Sequence, residues 1–137
     1  MGYKMFKSTP ITLGDQIISE PRTNLGFISA SLLKADGTIL NRVEVTGNYL
    51  VNHHQYFIGV QTQNLTCSAY VYLPKAETST NGRTYIVKDE GGQSDINNII
   101  VHVTNHDTID GERFVIIDSP YASLNIYTDG VDRWFVY

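Results

Sequence analysis

The sequence holds one cysteine, Cys67, in 137 residues. A single thiol cannot form a disulfide within the chain, so stability must come from a packed core or from other chains. No apolar run approaches the ~20 residues needed to cross a bilayer, so no membrane insertion is expected. Lys and Arg number 10 against 14 Asp and Glu, for a net charge of −4, and no basic run offsets that average. This excludes nucleic acid as the expected partner, because phosphate binding rests on clustered cations. Residues 1–7 lack the apolar stretch of a signal peptide, and Phe6 breaks the myristoylation pattern that could follow Gly2. The chain is therefore expected to be made in a cytosol. Charged residues are only 18% of the chain, against about 25% in ordinary soluble domains. That shortage leads us to expect that other chains cover part of the surface.

What is present is β-pattern. Residues 1 to about 45 differ in character from the rest. Up to Pro21 the apolar residues have no sustained period, and Pro10, Gly14-Asp15 and Pro21 interrupt them. This stretch reads as an extended arm, with Tyr3, Met5, Phe6, Ile11, Leu13, Ile17 and Ile18 available to order against a partner. Residues 26–33 and 39–45 then read as a hairpin about Asp36-Gly37, since a tight turn needs positive φ at its centre. A helix over residues 25–34 competes, weakened by Gly26 and the serines.

From residue 46 onward the period is two, and residues 46–137 are expected to form one β domain. In Leu65-Thr66-Cys67-Ser68-Ala69-Tyr70-Val71-Tyr72-Leu73, the odd positions are apolar and the even ones polar or tyrosine. That alternation predicts a half-buried antiparallel strand ended by Pro74, with Cys67 in the core and Tyr70 and Tyr72 on the other face. Further strands are expected at 48–51, 56–60, 84–88, 98–103, 113–117, 124–127 and 133–137. Gly and Asp turns separate them, and no internal repeat is visible. The fold class expected is all-β, a compact antiparallel sandwich or a fibre-type β domain.

Catalytic and metal patterns are weak. There is no Gly-x-Ser-x-Gly, and Gly91-Gly92 lacks the helix and Lys of a phosphate loop. Asp107 with Asp110, and Asp129 with Asp132, could offer oxygens to Ca²⁺, but a tight turn about Gly111 or Gly130 accounts for them more simply. His53 and His54 are adjacent, so on a strand they point to opposite faces; His102 and His106 flank a strand end. Asp89 and Glu90 could form a glycosidase pair only if a cleft held both. No enzymatic activity, metal or cofactor is expected. Nine tyrosines and one tryptophan supply flat amphipathic surface suited to an interface or to sugar rings. Tyr70, Tyr72, Trp134 and Tyr137 are the expected oligomer contacts, with Trp134 pinning the C-terminal strand into the core or onto the oligomer axis.

A further pattern runs through residues 47–137. It consists of Leu73-Pro74, then Tyr85, Lys88-Asp89 and Gly91. Next come Asn97-Asn98 leading into Ile99 and Val101, then Thr108-Ile109-Asp110-Gly111. After these come the apolar strand 114–117, Tyr121, Ser123, Leu124, Ile126, Asp129-Gly130 and the late Trp134. In order and spacing this resembles the small β modules of bacteriophage and viral tail fibres, head fibres and spikes. The resemblance implies a homotrimeric structural protein of the virion, made in the host cytoplasm: a fibre, cap or capsid-decoration subunit. The N-terminal arm would then grip another capsid, tail or fibre protein. A receptor-binding module reading a host surface glycan is the alternative it implies.

Overall fold

A computed structural model describes residues 31–137. The arm residues Tyr3, Met5, Phe6, Ile11, Leu13, Ile17 and Ile18 lie outside the described residues, as does most of the first hairpin strand. Leu40–Tyr137 forms a compact unit. Its strands are β1 (Arg42–Val45), β2 (Tyr49–Leu50), β3 (Phe57–Val60), β4 (Ala69–Tyr72) and β5 (Thr84–Asp89). They continue with β6 (Ile99–His102), β7 (Thr108–Ile109), β8 (Phe114–Ile117), β9 (Ser123–Thr128) and β10 (Arg133–Val136). The only helical turns among the described residues are two short 3₁₀ segments, Thr62–Asn64 and Ala76–Thr78.

The ten strands form two mixed sheets, in the orders β1-β3-β5-β9-β10-β7 and β2-β4-β6-β8. From β1 to β6 the chain visits the two sheets in turn, and each strand lies parallel to the next one in its own sheet. Parallel neighbours need a crossover, and here each crossover is a strand of the opposite sheet. The result is three turns of a flattened coil. An antiparallel end follows: β8 on β6, β9 on β5 and β10 on β9. The short β7 closes the larger sheet, parallel to β10.

Alternation decides which side chains fill the space between the sheets. Tyr85 and Val87 of β5 and Leu124 and Ile126 of β9 face inward from the six-stranded sheet. Ala69, Val71, Ile99 and Val101 meet them from the four-stranded one, and all belong to one core with Ile58, Val60 and Trp134. Such burial removes apolar surface from water and drives the fold. On the outer side of β3, Gly59 leaves room that a Cβ would take from the Glu90 carboxylate. That room lets Glu90 reach Arg42 across the strand.

Two local expectations are corrected. The strand expected over 65–73 is only Ala69–Tyr72, and it is parallel to both of its neighbours. Cys67 lies before it and is exposed, because the ladder begins only where Ala69 N donates to Asn98 O at 3.0 Å. Residues 31–41 contain no strand. Arg42–Val45, expected as the return arm of a hairpin, is instead held in parallel by Phe57–Val60, with Val45 buried in the core.

Candidate functional site

The outer face of the four-stranded sheet carries the strongest surface signal among the described residues. Strand register aligns Leu50, Tyr72, His102 and Phe114 in one row. The next row on the same face holds Tyr70, Ile100 and Ile116. Neither row contains Lys, Arg, Asp or Glu. Leu50 is 63% exposed, Phe114 48%, Ile116 45% and Tyr70 37%. Single exposed apolar residues are ordinary, but a contiguous patch of this kind marks an interaction site.

The rings on this face hold one another upright. Tyr70 and Tyr72, two apart on β4, have near-parallel rings with centroids 5.9 Å apart. His102 stacks on Phe114 at 5.9 Å across the β6–β8 pair and sits 5.8 Å from Tyr72 on its other side. His102 Nδ1 lies 2.5 Å from Val103 O. A carbonyl can only accept, so Nδ1 carries the proton and the imidazole is fixed in orientation. Tyr70, Ile100, His102, Phe114 and Ile116 line an open groove of about 310 Å³. Rigid rings around a shallow apolar trough bind with little loss of side-chain freedom.

The expected oligomer residues are thus separated into three places. Tyr70 and Tyr72 are on this face. Tyr137 is on the opposite outer face, edge-on to Tyr127 at 5.6 Å, with Phe135 5.3 Å from Tyr127. Trp134 is fully buried in the chain's own core, 5.7 Å from Tyr85, so it cannot touch another chain. Leu50, Ile100, His102, Phe114 and Ile116 were not among the expected contacts. Their signal was present in Ile99-Ile100-Val101 and Phe114-Val115-Ile116-Ile117, which are apolar at both parities. Strands of that kind are covered on both faces.

The carboxylates take structural positions. Asp89 is fully buried where β5 ends. It accepts from Thr62 Oγ1 at 2.5 Å, Gly92 N at 2.8 Å, Tyr121 N at 3.0 Å, and Gly91 N and Ser94 N at 3.1 Å. Gly92 stands at φ +74, against the Tyr121 ring, where any side chain would be strained and would clash. Burial alone would raise the Asp89 pKa, but the bonds from Thr62, Tyr121, Gly92 and Ser94 prevail and lower it to about 2. Glu90 points outward to Arg42, which hydrogen-bonds it, and to Gln61 Nε2 at 2.7 Å. The Arg42 hydrogen bond holds its carboxyl below the usual range. One buried at the end of β5 and the other turned outward just after it, with both pKa values lowered, the two do not make the acid–base pair of a glycosidase.

Of the remaining acidic candidates, Asp107 is buried and accepts from Ala76 N at 2.7 Å, and Asp129 closes on the backbone of its own turn. Asp129 Oδ1 accepts from the backbone N–H of Val131, Asp132 and Arg133, with Gly130 at φ 76. Asp110 adopts φ 48 and faces the Val136 N–H at 3.4 Å, with Gly111 at φ 89. The Asp129 turn thus satisfies its carboxylate locally, whereas Asp110 reaches across to the last strand. His53, His54 and His106 are exposed. Among the described residues no group of three or more His, Cys, Asp or Glu is placed to hold a metal ion. No helix among them is long and apolar enough to cross a membrane. No family model matches the chain, and no curated protein matches it.

Proposed function

We propose that the chain is a non-enzymatic structural subunit of a virion, assembling as a homotrimer through the outer face of its four-stranded sheet. The observation that carries this reading is the uncharged double row of Leu50, Tyr70, Tyr72, Ile100, His102, Phe114 and Ile116. Alone in water, these side chains would keep a large apolar area hydrated at about 25 cal/mol per Å². Three copies turned to a common axis cover that face by a closed ring of contacts. The virion setting rests on the resemblance of residues 47–137 to viral fibre modules. In this reading residues 1–21 attach the trimer to another capsid, tail or fibre protein.

A glycan partner fits the face less well. Sugars need several polar groups beside the aromatic platform, and these rows supply only the imidazole and two phenols.

The test is Ile116→Glu. It places a charge on the edge strand of the face, in the row of Tyr70 and Ile100, without touching the core, so the fold should survive while three carboxylates meet the interface on assembly. The expected result is a threefold fall in solution mass with an unchanged far-ultraviolet circular dichroism spectrum. An unchanged mass would remove this face as the interface.

A further inference from the structure

His102 stands inside the uncharged face of the four-stranded sheet, in the row that runs Leu50, Tyr72, His102, Phe114. A ring flanks the imidazole on each side, Tyr72 at 5.8 Å and Phe114 at 5.9 Å. The half-buried imidazole also lines the groove. His53, His54 and His106 lie in turns, outside both rows. Nδ1 of His102 is held by Val103 O, so Nε2 is the nitrogen left to the groove. In the neutral ring Nε2 is a bare acceptor, and a proton added there makes the imidazole a cation.

The surroundings offer that cation no counter-charge. From β4 it is faced by Tyr70 and Tyr72, from β8 by Phe114 and Ile116, and its own strand adds Ile100. Phenols ordinarily titrate near ~10, far above the range in which histidine changes charge. Arg113, next to Phe114, donates instead to Asn105 O at 2.7 Å. Among the described residues no carboxylate lies within ion-pair distance of His102. The ring packing and the Nδ1 bond are made within one chain, so they are the same free or assembled. What assembly changes is Nε2. In the free chain the groove is open, and water can accept from a protonated Nε2. A second copy laid over the face replaces that water with apolar and aromatic surface. Burying an unpaired cation costs far more than burying a neutral imidazole.

We propose that His102 is a proton switch on assembly: the homotrimer forms when the imidazole is neutral and comes apart when it is protonated. This rests on the assembly reading above. The sign follows from linkage. The assembled state disfavours the protonated form, so assembly is strongest above the pH at which the free chain titrates and is lost as pH falls below it. Three chains release three protons on joining. The association constant should therefore fall by up to about a thousandfold per pH unit in that range, which raises the concentration of half-assembly by up to about thirtyfold.

The test is light scattering on the full chain, over a dilution series at about pH 7.5 and about pH 5, at equal ionic strength. Asp89, with its pKa at about 2, stays ionised throughout, so the circular dichroism spectrum should be the same at both values. The wild-type chain should be a trimer at the higher pH and should dissociate at the lower one, at a half-assembly concentration at least about tenfold higher. His102→Gln and His102→Phe are neutral at both values and should hold the trimer at both. His102→Lys is charged at both and should give monomers at both. A wild-type trimer with one half-assembly concentration at the two pH values would overturn the switch and leave the assembly reading intact. So would neutral variants that lose mass at low pH as the wild type does, since the titrating group would then lie elsewhere. A wild-type chain already monomeric at the higher pH would overturn the assembly reading, and the switch with it.

Discussion

Asp89 ties the coil to its antiparallel end. One carboxylate gathers the Thr62 hydroxyl, the turn at 91–94 and the Tyr121 N–H, which belong to three separate stretches of chain. In Asp89→Asn one oxygen becomes an N–H₂ that faces backbone N–H groups. We expect a loss of about 2–4 kcal/mol in urea unfolding, in the range for breaking a buried charged hydrogen-bond set. The pH dependence follows in sign. The folded pKa, about 2, lies below the ordinary 3.8. The carboxylate therefore stabilises the fold fully above pH ~4, and that stability is lost as pH falls towards 2. About 2 kcal/mol should disappear over that window, and Asp89→Asn should flatten the profile. A wild-type profile level from pH 5 to 2 would contradict this role. In the sequence, Asp89-Glu90-Gly91-Gly92 reads as a solvated turn. The parity of Tyr85, Val87 and Asp89 was the available sign that Asp89 turns inward. The backbone donors that make this tolerable leave no mark in residue types.

At the scale of elements, hydrophobic alternation located most strands because a half-buried strand must alternate. Residues 84–88 and 124–127 fall within β5 and β9 almost to the residue. Alternation does not say which strand lies beside which. The parallel pairing of β1, β3 and β5, and of β2, β4 and β6, was therefore not legible. Nor did a repeat betray the coil. Its turns differ in length because 61–68 and 73–83 make loops of their own, and only strand register is repeated. The pairing has a consequence for local stability. Strand β5 is bonded on both sides, by β3 and β9, whereas β2 and β7 have two residues each. In native-state hydrogen exchange the amides of β5 and β9 should exchange last, through global unfolding, and those of β2 and β7 first. Uniform protection across all ten strands would contradict this hierarchy.

For the whole molecule, the two outer faces differ in kind. Across the six-stranded sheet, Arg42, Glu44, Lys88 and Glu90 break up the apolar area. Across the four-stranded sheet no charge interrupts the two central rows. In the sequence the low overall charge leads to the expectation of covered surface, and the tyrosines of β4 lie on this uncharged face. Ile100, His102, Phe114 and Ile116 complete it only once β6 and β8 are placed beside β4. The central claim is that this face is covered by two further copies of the same chain. Light scattering on the purified chain tests it most directly. We expect a particle of three times 15.4 kDa that does not dissociate on moderate dilution. A monodisperse 15.4 kDa particle would leave Tyr70, Phe114 and Ile116 in water and would contradict the claim.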